Sequence, residues 1–591
     1  MSINPTDPCA VAAAPCVEDF IQAAAPFVED VSPIAASPRV EDSNQATTPR
    51  VEDMFPVGAI PRVEESIQAT TPRVEDMFPV GAIPRVEESI QATTPHVENS
   101  IPSGISPSPN AHSSMAQSKS QDIALSVNED DVRMANEAAL FDNSSPHVFL
   151  WKLSQKYGSL LYLRLGCKPT IVVSSAKMAE EVLKTHDLDF CSRPDQRGTR
   201  RLSYNAIDLA FTPYNDYWRE MRKLSVVHLF SRVQQYRPIR EDEVARLMDK
   251  ICRLSGDSKP VNLSEAMMRF SSTIICRVAF GKRYDEEGAE RSRFHGLLNE
   301  SQAMLSSFSF SDYFPLMGWV DRLTGFHNRL EKTFKELDIF YQELIDEHLD
   351  PNRPKSAQED IIDVLLQISK DADFPFVLTI DHIKAILMTV FIAGTDTSAA
   401  TVTWVMSFLM KNPKYLKRTQ AELRSFIGKK GFLKEDDLQS LTYLKAVIKE
   451  TFRLQPVVPL LVPRETLRKC SIGGYEVPAK SLVHVNAWAI GRDSEVWENP
   501  EEFCPERFID SSVDYKGQHF ELIPFGAGRR ICPGMRMGVA AVELALANLL
   551  YKFDWEMPTG MNEDDLDFDA LPGITTHKKN DLILVARKID D

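Results

Sequence analysis

The run Pro524-Phe525-Gly526-Ala527-Gly528-Arg529-Arg530-Ile531-Cys532-Pro533-Gly534 sets one cysteine in a glycine-bracketed loop, directly ahead of a long apolar stretch. A thiolate that binds the iron of a flat porphyrin needs chain that turns tightly and passes close to the ring, a path that Gly526, Gly528 and Gly534 permit. Phe525 can cover the sulfur from water, and the fork of Arg530 can face a propionate on the ring's edge. Cysteine as axial ligand pushes electron density onto iron and favours O–O cleavage over reversible oxygen carriage. Read singly, Cys532 is also what a buried cysteine at a helix start looks like, because free cysteine behaves as a small hydrophobe.

Upstream, Ala393-Gly394-Thr395-Asp396-Thr397-Ser398 lies in the middle of an apolar segment with the length of a long helix. Heterolytic O–O cleavage consumes two protons, so a hydroxyl beside the oxygen and an acid linked to water are what the chemistry needs. Thr397 suits the first role and Asp396 the second, with Gly394 giving room and loosening the helix. The plainer alternative is a threonine bonding back one turn and a solvated aspartate. In Lys449-Glu450-Thr451-Phe452-Arg453 the acid and base stand three apart on one helical face and can pair. Trp218 and Arg222, in Asp216-Tyr217-Trp218-Arg219-Glu220-Met221-Arg222-Lys223, stand four apart on another.

Taken together these motifs resemble those of a cytochrome P-450, specifically the plant microsomal A-type monooxygenases. Phe525, Gly528, Arg530, Cys532 and Gly534 fit the signature F-x-x-G-x-R-x-C-x-G at every fixed position, and the other motifs follow in the family's order. The resemblance covers about three quarters of the chain, from near Pro146 to the end. It implies a mainly α fold with a small β region, a triangular helical prism. It also implies haem b with Cys532 as axial ligand, and electrons from NADPH through NADPH-cytochrome P-450 reductase. Carried over residue by residue, it puts Trp218, Arg222, Arg464 and Arg530 on the propionates. Arg507, in Pro505-Glu506-Arg507-Phe508, joins Glu450 and Arg453 in a structural network. A lipophilic substrate would meet Phe391, Ala393, Leu460, Leu461 and Ile574, and the stretch from Leu202 to Phe211. Arg219, Lys223 and Arg529 would offer a positive face to an acidic redox partner. Asn215 stands where the family often has glycine.

Composition sets the outer bounds. The 591 residues carry a formal charge of −17. Of this, residues 1 to 100 hold 16 acidic side chains against 5 Arg and no Lys, so the body has no basic excess and nucleic acid is not an expected partner. Nine cysteines are spread singly, without zinc or redox spacing. From Pro15 a Pro-x-Val-Glu tetrad recurs every 11 or 12 residues, and Ala46 to Gln68 is repeated without change as Ala69 to Gln91. Regular prolines, few large hydrophobes and excess acid predict a disordered or extended segment over residues 1–135, followed by a catalytic domain over 136–591.

The family implies an endoplasmic reticulum enzyme facing the cytosol, yet no apolar run of the required ~20 residues precedes the body. A cytosolic or peripherally attached protein is therefore expected, and the apolar, loop-like stretch Tyr313 to Trp319 suits either contact with a membrane surface or packing on the core. Ala385 to Met410 is apolar enough to be mistaken for a span. Asp396 at its centre favours a buried core helix instead. Short strands are predicted near Leu160–Leu165, Thr170–Ser174 and Val483–Asn486. The expected function is oxidation of a lipophilic plant secondary metabolite. Two rivals are a haem-thiolate isomerase or dehydratase, against which Asp396 and Thr397 speak, and a non-catalytic protein acting through its repeats.

Overall fold

The computed structural model describes residues 145–589, apart from 257–258, 285–288, 355–357, 372–375 and 429–430. The repeats, and the disorder expected of residues 1–135, lie outside the described residues.

The body is helix-rich. Its spine is the helix over Ile380–Lys411, 32 residues and so about 48 Å long. Thr379 starts it with a capping box shared with His382, and it stops at Asn412, before Pro413. Ile383, Leu387, Val402 and Val405 are buried with most of its other apolar side chains. A helix that is apolar nearly all round belongs in a core, and 72% of its most apolar window is enclosed.

The helices that position the site are α1 (Pro146–Tyr157), α2 (Asp216–Leu224), α3 (Leu263–Phe280), α4 (the Ile380–Lys411 spine), α5 (Thr442–Leu454) and α6 (Met535–Lys552). Helix α3 lies along α4 at close range: a Cβ built on Gly394 would stand 2.5 Å from Ile275 Cδ1, and Ser271 donates to the Gly394 carbonyl at 3.2 Å. Gly394 thus serves helix–helix packing.

The small β region comprises a four-stranded, a three-stranded and a two-stranded sheet, and the four-stranded one has the order β1 (Leu160–Leu165), β2 (Lys168–Val173), β4 (Leu482–Val485), β3 (Arg464–Glu465). β1 pairs antiparallel with β2 (Leu160 opposite Val173), β2 parallel with β4 (Thr170 opposite Leu482), and β3 antiparallel with β4 (Arg464 opposite Val483). The first strand matches its predicted bounds, and the other two begin one or two residues early. Ile171, Val173, Val483 and Val485 form a second apolar core with Ala527, whereas Phe525 packs against the main core. The cysteine loop is therefore pinned between two cores by residues two apart.

Candidate active site

The cysteine loop closes on itself through a bond from the Cys532 N–H to the Phe525 carbonyl at 3.0 Å. Gly526 and Gly528 both have φ 67°, where a side chain is strained. A Cβ at Gly528 would also stand 2.2 Å from the Leu183 carbonyl oxygen. Gly534 is different: its φ is −85° and a Cβ there meets no protein atom within 4 Å, so the conformational argument holds for two of the three glycines. Phe525 sits edge-on to Phe452 at 5.3 Å and beside Tyr515 at 5.6 Å.

Cys532 stands three residues ahead of the first residue of α6 and is half-buried by surface, though densely surrounded. Burial pushes its thiol up, while the Gly534 N–H, the Arg222 charge and the Met535 N–H oppose that rise. These are the groups that stabilise a thiolate at a helix N-terminus. Coordination to a cation removes the proton outright.

Four basic or aromatic candidates gather beside the loop, and their partners differ from expectation. The Trp218 indole N–H donates to the Leu209 carbonyl at 3.0 Å, so it is not the free propionate donor anticipated for it. Its ring is instead a platform for Arg530, whose guanidinium carbon lies 3.8 Å from the indole centroid. Arg222 donates to the Ile531 carbonyl at 2.5 Å and so grips the residue before Cys532. Arg464 is buried between Asp187 (3.0 Å) and the Ala527 carbonyl (2.8 Å). Arg530 donates to the carbonyls of Cys191 (2.8 Å) and Thr212 (2.7 Å), yet its Nη1 is buried without a partner among the described residues. Burial pushes this guanidinium down to about 9. A desolvated cation with an idle donor beside the cysteine fits an anionic carboxylate, and this is the observation by which the site suits a haem. Arg193, also buried, ties the Ala210 carbonyl to those of Val462 and Pro463. No local spacing marks it, nor its neighbour Asp208, whose carboxylate accepts from the Ala210 and Phe211 N–H groups and from Thr389.

Asn215, the departure from glycine, is extended at φ −156° and caps α2 by accepting from the Trp218 N–H. The substitution therefore supplies a cap at a position that needs no left-handed backbone.

On α4, Ala393 is exposed and Thr397 half-buried. The Thr397 hydroxyl donates to the Ala393 carbonyl at 2.9 Å, the back-bonded arrangement. Asp396 is buried and its Oδ1 lies 2.5 Å from His577 Nε2, a partner 181 positions away that no local spacing could reveal. Of the pocket candidates, Ala393 is open, and Leu460, Leu461 and Ile574 are half-buried. Leu461 packs on the second core, with Cδ1 3.8 Å from a Cβ built on Gly526. Phe391 is a correction: it is fully buried, edge-on to Phe294 at 4.8 Å and near Phe340 and Tyr341. It belongs to the core behind the helix. Between Leu202 and Phe211, Tyr204, Asn205 and Ala206 form a left-handed turn with φ 55°, 64° and 60°.

The acid–base pair on α5 is a fully buried knot. Glu450 takes a two-point contact from Arg453 at 2.7 Å on each oxygen, and also accepts from Arg507 at 3.0 Å and the Cys504 N–H at 2.7 Å. Arg453 donates onward to the carbonyls of Gly491, Pro500 and Glu502, so one ion pair organises the chain from Gly491 to Arg507. His348, Asp360 and Asp363 also bring ligand atoms within 4.8 Å of one another. Arg353 occupies both carboxylates at 2.9 Å, which makes this an ion-pair knot as well.

Comparison with known proteins agrees with this geometry. The cytochrome P450 family profile matches residues 137–585. The chain is 51% identical over 451 residues to the 5-OH-xanthotoxin synthase of Pastinaca sativa, covering 75% of this chain and 88% of that one. It is 50% identical to the 6,7,8-trihydroxycoumarin synthase of the same plant (77% and 91% covered). It is 48% identical to cytochrome P450 71A1 of Persea americana (75% and 89%). A zebrafish cytochrome P450 structure with progesterone superimposes with a TM-score of 0.65 at 26% identity, covering 75% of this chain and all of that one. That family holds haem through a cysteine thiolate and takes electrons from an NADPH-dependent reductase. The chain belongs to the cytochrome P450 family and is a plant-type haem monooxygenase.

Proposed function

We propose that the enzyme hydroxylates a planar aromatic lactone of the coumarin class, with Cys532 as axial haem ligand and Asp396 and Thr397 supplying protons. The observation that carries the assignment of the site is the buried, partnerless Nη1 of Arg530 beside the Cys532 loop. It provides an idle donor for a haem carboxylate on the same segment that carries the thiolate. Bound haem supplies dioxygen activation; the protein supplies ligand, proton path and pocket.

Each residue has a defined task. The Gly534 and Met535 N–H groups and Arg222 stabilise negative charge at Sγ. Phe525, held against Phe452 and Tyr515, covers the sulfur side. Arg530 and Arg464 hold the cysteine loop against the chain carrying Cys191 and Asp187. The open face of α4 at Ala393, with Leu460 and Ile574, suits a flat apolar molecule. Support for a coumarin comes from the two Pastinaca relatives, both named for hydroxylated coumarins. Incubation with reductase, NADPH and xanthotoxin tests it: a product heavier by one oxygen is expected, and unchanged xanthotoxin alongside turnover of unrelated terpenoids would redirect the substrate assignment.

Peripheral attachment to a membrane is supported by a cluster of exposed apolar side chains. Leu316, Trp319 and Leu323 are 75%, 58% and 77% exposed. The turn between β1 and β2 is tied to this region by the Cys167 N–H, which donates to the Tyr313 carbonyl at 2.8 Å. Arg529, half-exposed, and exposed Lys223 offer positive charge to the reductase. Flotation with anionic vesicles should carry the protein up, and Leu316→Asp with Leu323→Asp should weaken that.

A further inference from the structure

We propose that His577 is the solvent-side partner of Asp396: it positions the acid in the helix and, when protonated, resupplies the proton that the acid passes inward. The proposal rests on the reading of Asp396 and Thr397 as the proton donors, and extends it to a residue that the motif does not contain.

Three observations carry it. Asp396 Oδ1 and His577 Nε2 lie 2.5 Å apart, and among the described residues His577 is the only ion partner of Asp396. Exposure is graded along the pair: the Asp396 side chain is 5% exposed and that of His577 25%. A proton can therefore enter from water at the imidazole and reach a carboxylate that water hardly touches. His577 is also held rigidly. The Thr576 carbonyl accepts from the Trp404 indole at 3.0 Å and the Thr576 N–H donates to the Val457 carbonyl at 2.8 Å. The His577 carbonyl accepts from the Leu571 N–H at 2.8 Å. Trp404 lies on α4 with Asp396, two turns further on, so the helix fixes both ends of the contact.

The charge around the imidazole is simple. Burial lowers its proton affinity, and the hydrogen bond and charge of Asp396 more than reverse that. The adjacent Lys578 is turned away onto Asp567 at 2.8 Å. Asp396 is thus the charged group that bears on His577. The protonated form dominates below a pKa held above the ordinary ~6.5, and the charge is lost as pH rises through it.

Proton delivery has a signature that needs no knowledge of the substrate. Dioxygen plus two electrons and two protons gives hydrogen peroxide. Dioxygen plus four electrons and four protons gives two waters, and only the second route breaks the O–O bond. The experiment measures the ratio of NADPH to dioxygen consumed, and the peroxide formed, by the full-length haem enzyme with reductase across about pH 6 to 9. Wild type, His577→Gln and Asp396→Asn are compared. Glutamine can keep a donor near the Nε2 position but cannot titrate. The carbon–oxygen stretch of the carbon monoxide complex, read over the same range, reports the polarity of the pocket independently of turnover.

Wild type should shift from water towards peroxide as pH rises, with a stretch frequency that moves in step. His577→Gln should give mainly peroxide at every pH, roughly a tenfold loss of the water-forming rate, and a stretch that no longer moves. If Asp396→Asn favours peroxide while His577→Gln keeps the wild-type ratio and pH profile, the role of His577 is overturned and that of Asp396 stands. If Asp396→Asn itself behaves as wild type, the underlying reading fails and this one with it. A His577→Gln enzyme that melts earlier but titrates like wild type would mark the histidine as merely structural and overturn the proposal.

Discussion

The Arg530 guanidinium lies 3.8 Å from the Trp218 ring centroid, joining the cysteine loop to helix α2 through a desolvated cation–π contact. Two of its nitrogens satisfy backbone carbonyls and the third has no partner among the described residues. Arg530→Leu should therefore do two things at once. Leaving the Cys191 and Thr212 carbonyls unpaired costs about 1–3 kcal/mol each, and loss of the idle donor should lower haem content as read by pyridine haemochrome. Arg530→Lys should keep the charge and lose the fork, and fall between. Wild-type haem content in Arg530→Leu would contradict the placement of a carboxylate there.

Glu450 is fully buried and takes bonds from Arg453, Arg507 and the Cys504 N–H. Breaking a buried ion pair by neutralising one partner costs about 3–5 kcal/mol. Glu450→Gln should lower the unfolding free energy by that amount, move the denaturation midpoint down with it, and release the segment from Gly491 to Arg507, seen as faster hydrogen exchange. A midpoint within error of wild type would contradict the knot.

Gly394→Ala tests whether this glycine exists for packing. The new methyl would meet Ile275 Cδ1 at 2.5 Å, and overpacking of this kind costs about 1–3 kcal/mol. Adding Ile275→Val removes the opposing atom and should restore most of the lost stability. No recovery in the double variant would mean that the glycine serves something other than the α3–α4 contact.

Much of this arrangement was legible in the sequence, for a physical reason. Cys532, the glycines around it, and Glu450 with Arg453 act through local spacing, and local spacing survives in one dimension. The apolar run around Asp396 was readable as a core helix because a charge at its centre excludes a lipid-facing one. What the sequence hid are pairings across the fold. His577 meets Asp396 only because Trp404 and Val457 hold the C-terminal turn on α4. Trp218 was expected to offer its N–H outward, and the Leu209 carbonyl takes it first. The resemblance puts Phe391 in the pocket together with Ala393, but two positions along a helix turn the side chain by more than a right angle, here into the aromatic core.

His147, at the start of α1, gives a pH prediction. It is 4% exposed, packed edge-on to Trp488 at 5.4 Å, and burial with the nearby Arg492 charge lowers its pKa to about 4. The folded value lies below the unfolded ~6.5, so the contribution is complete above that pH and is lost as pH falls towards about 4. The span corresponds to about 3 kcal/mol. His147→Phe keeps the ring contact and cannot titrate, so its stability should fall less between these two pH values than that of wild type, as read by chemical denaturation.

The central claim is that Cys532 is the thiolate ligand of the haem. The direct measurement is the dithionite-reduced carbon monoxide difference spectrum of the full-length protein beside Cys532→Ala. A thiolate-type Soret shift in wild type that the variant lacks is the expected result. Haem bound by wild type without that shift, or a variant that retains it, would contradict the claim.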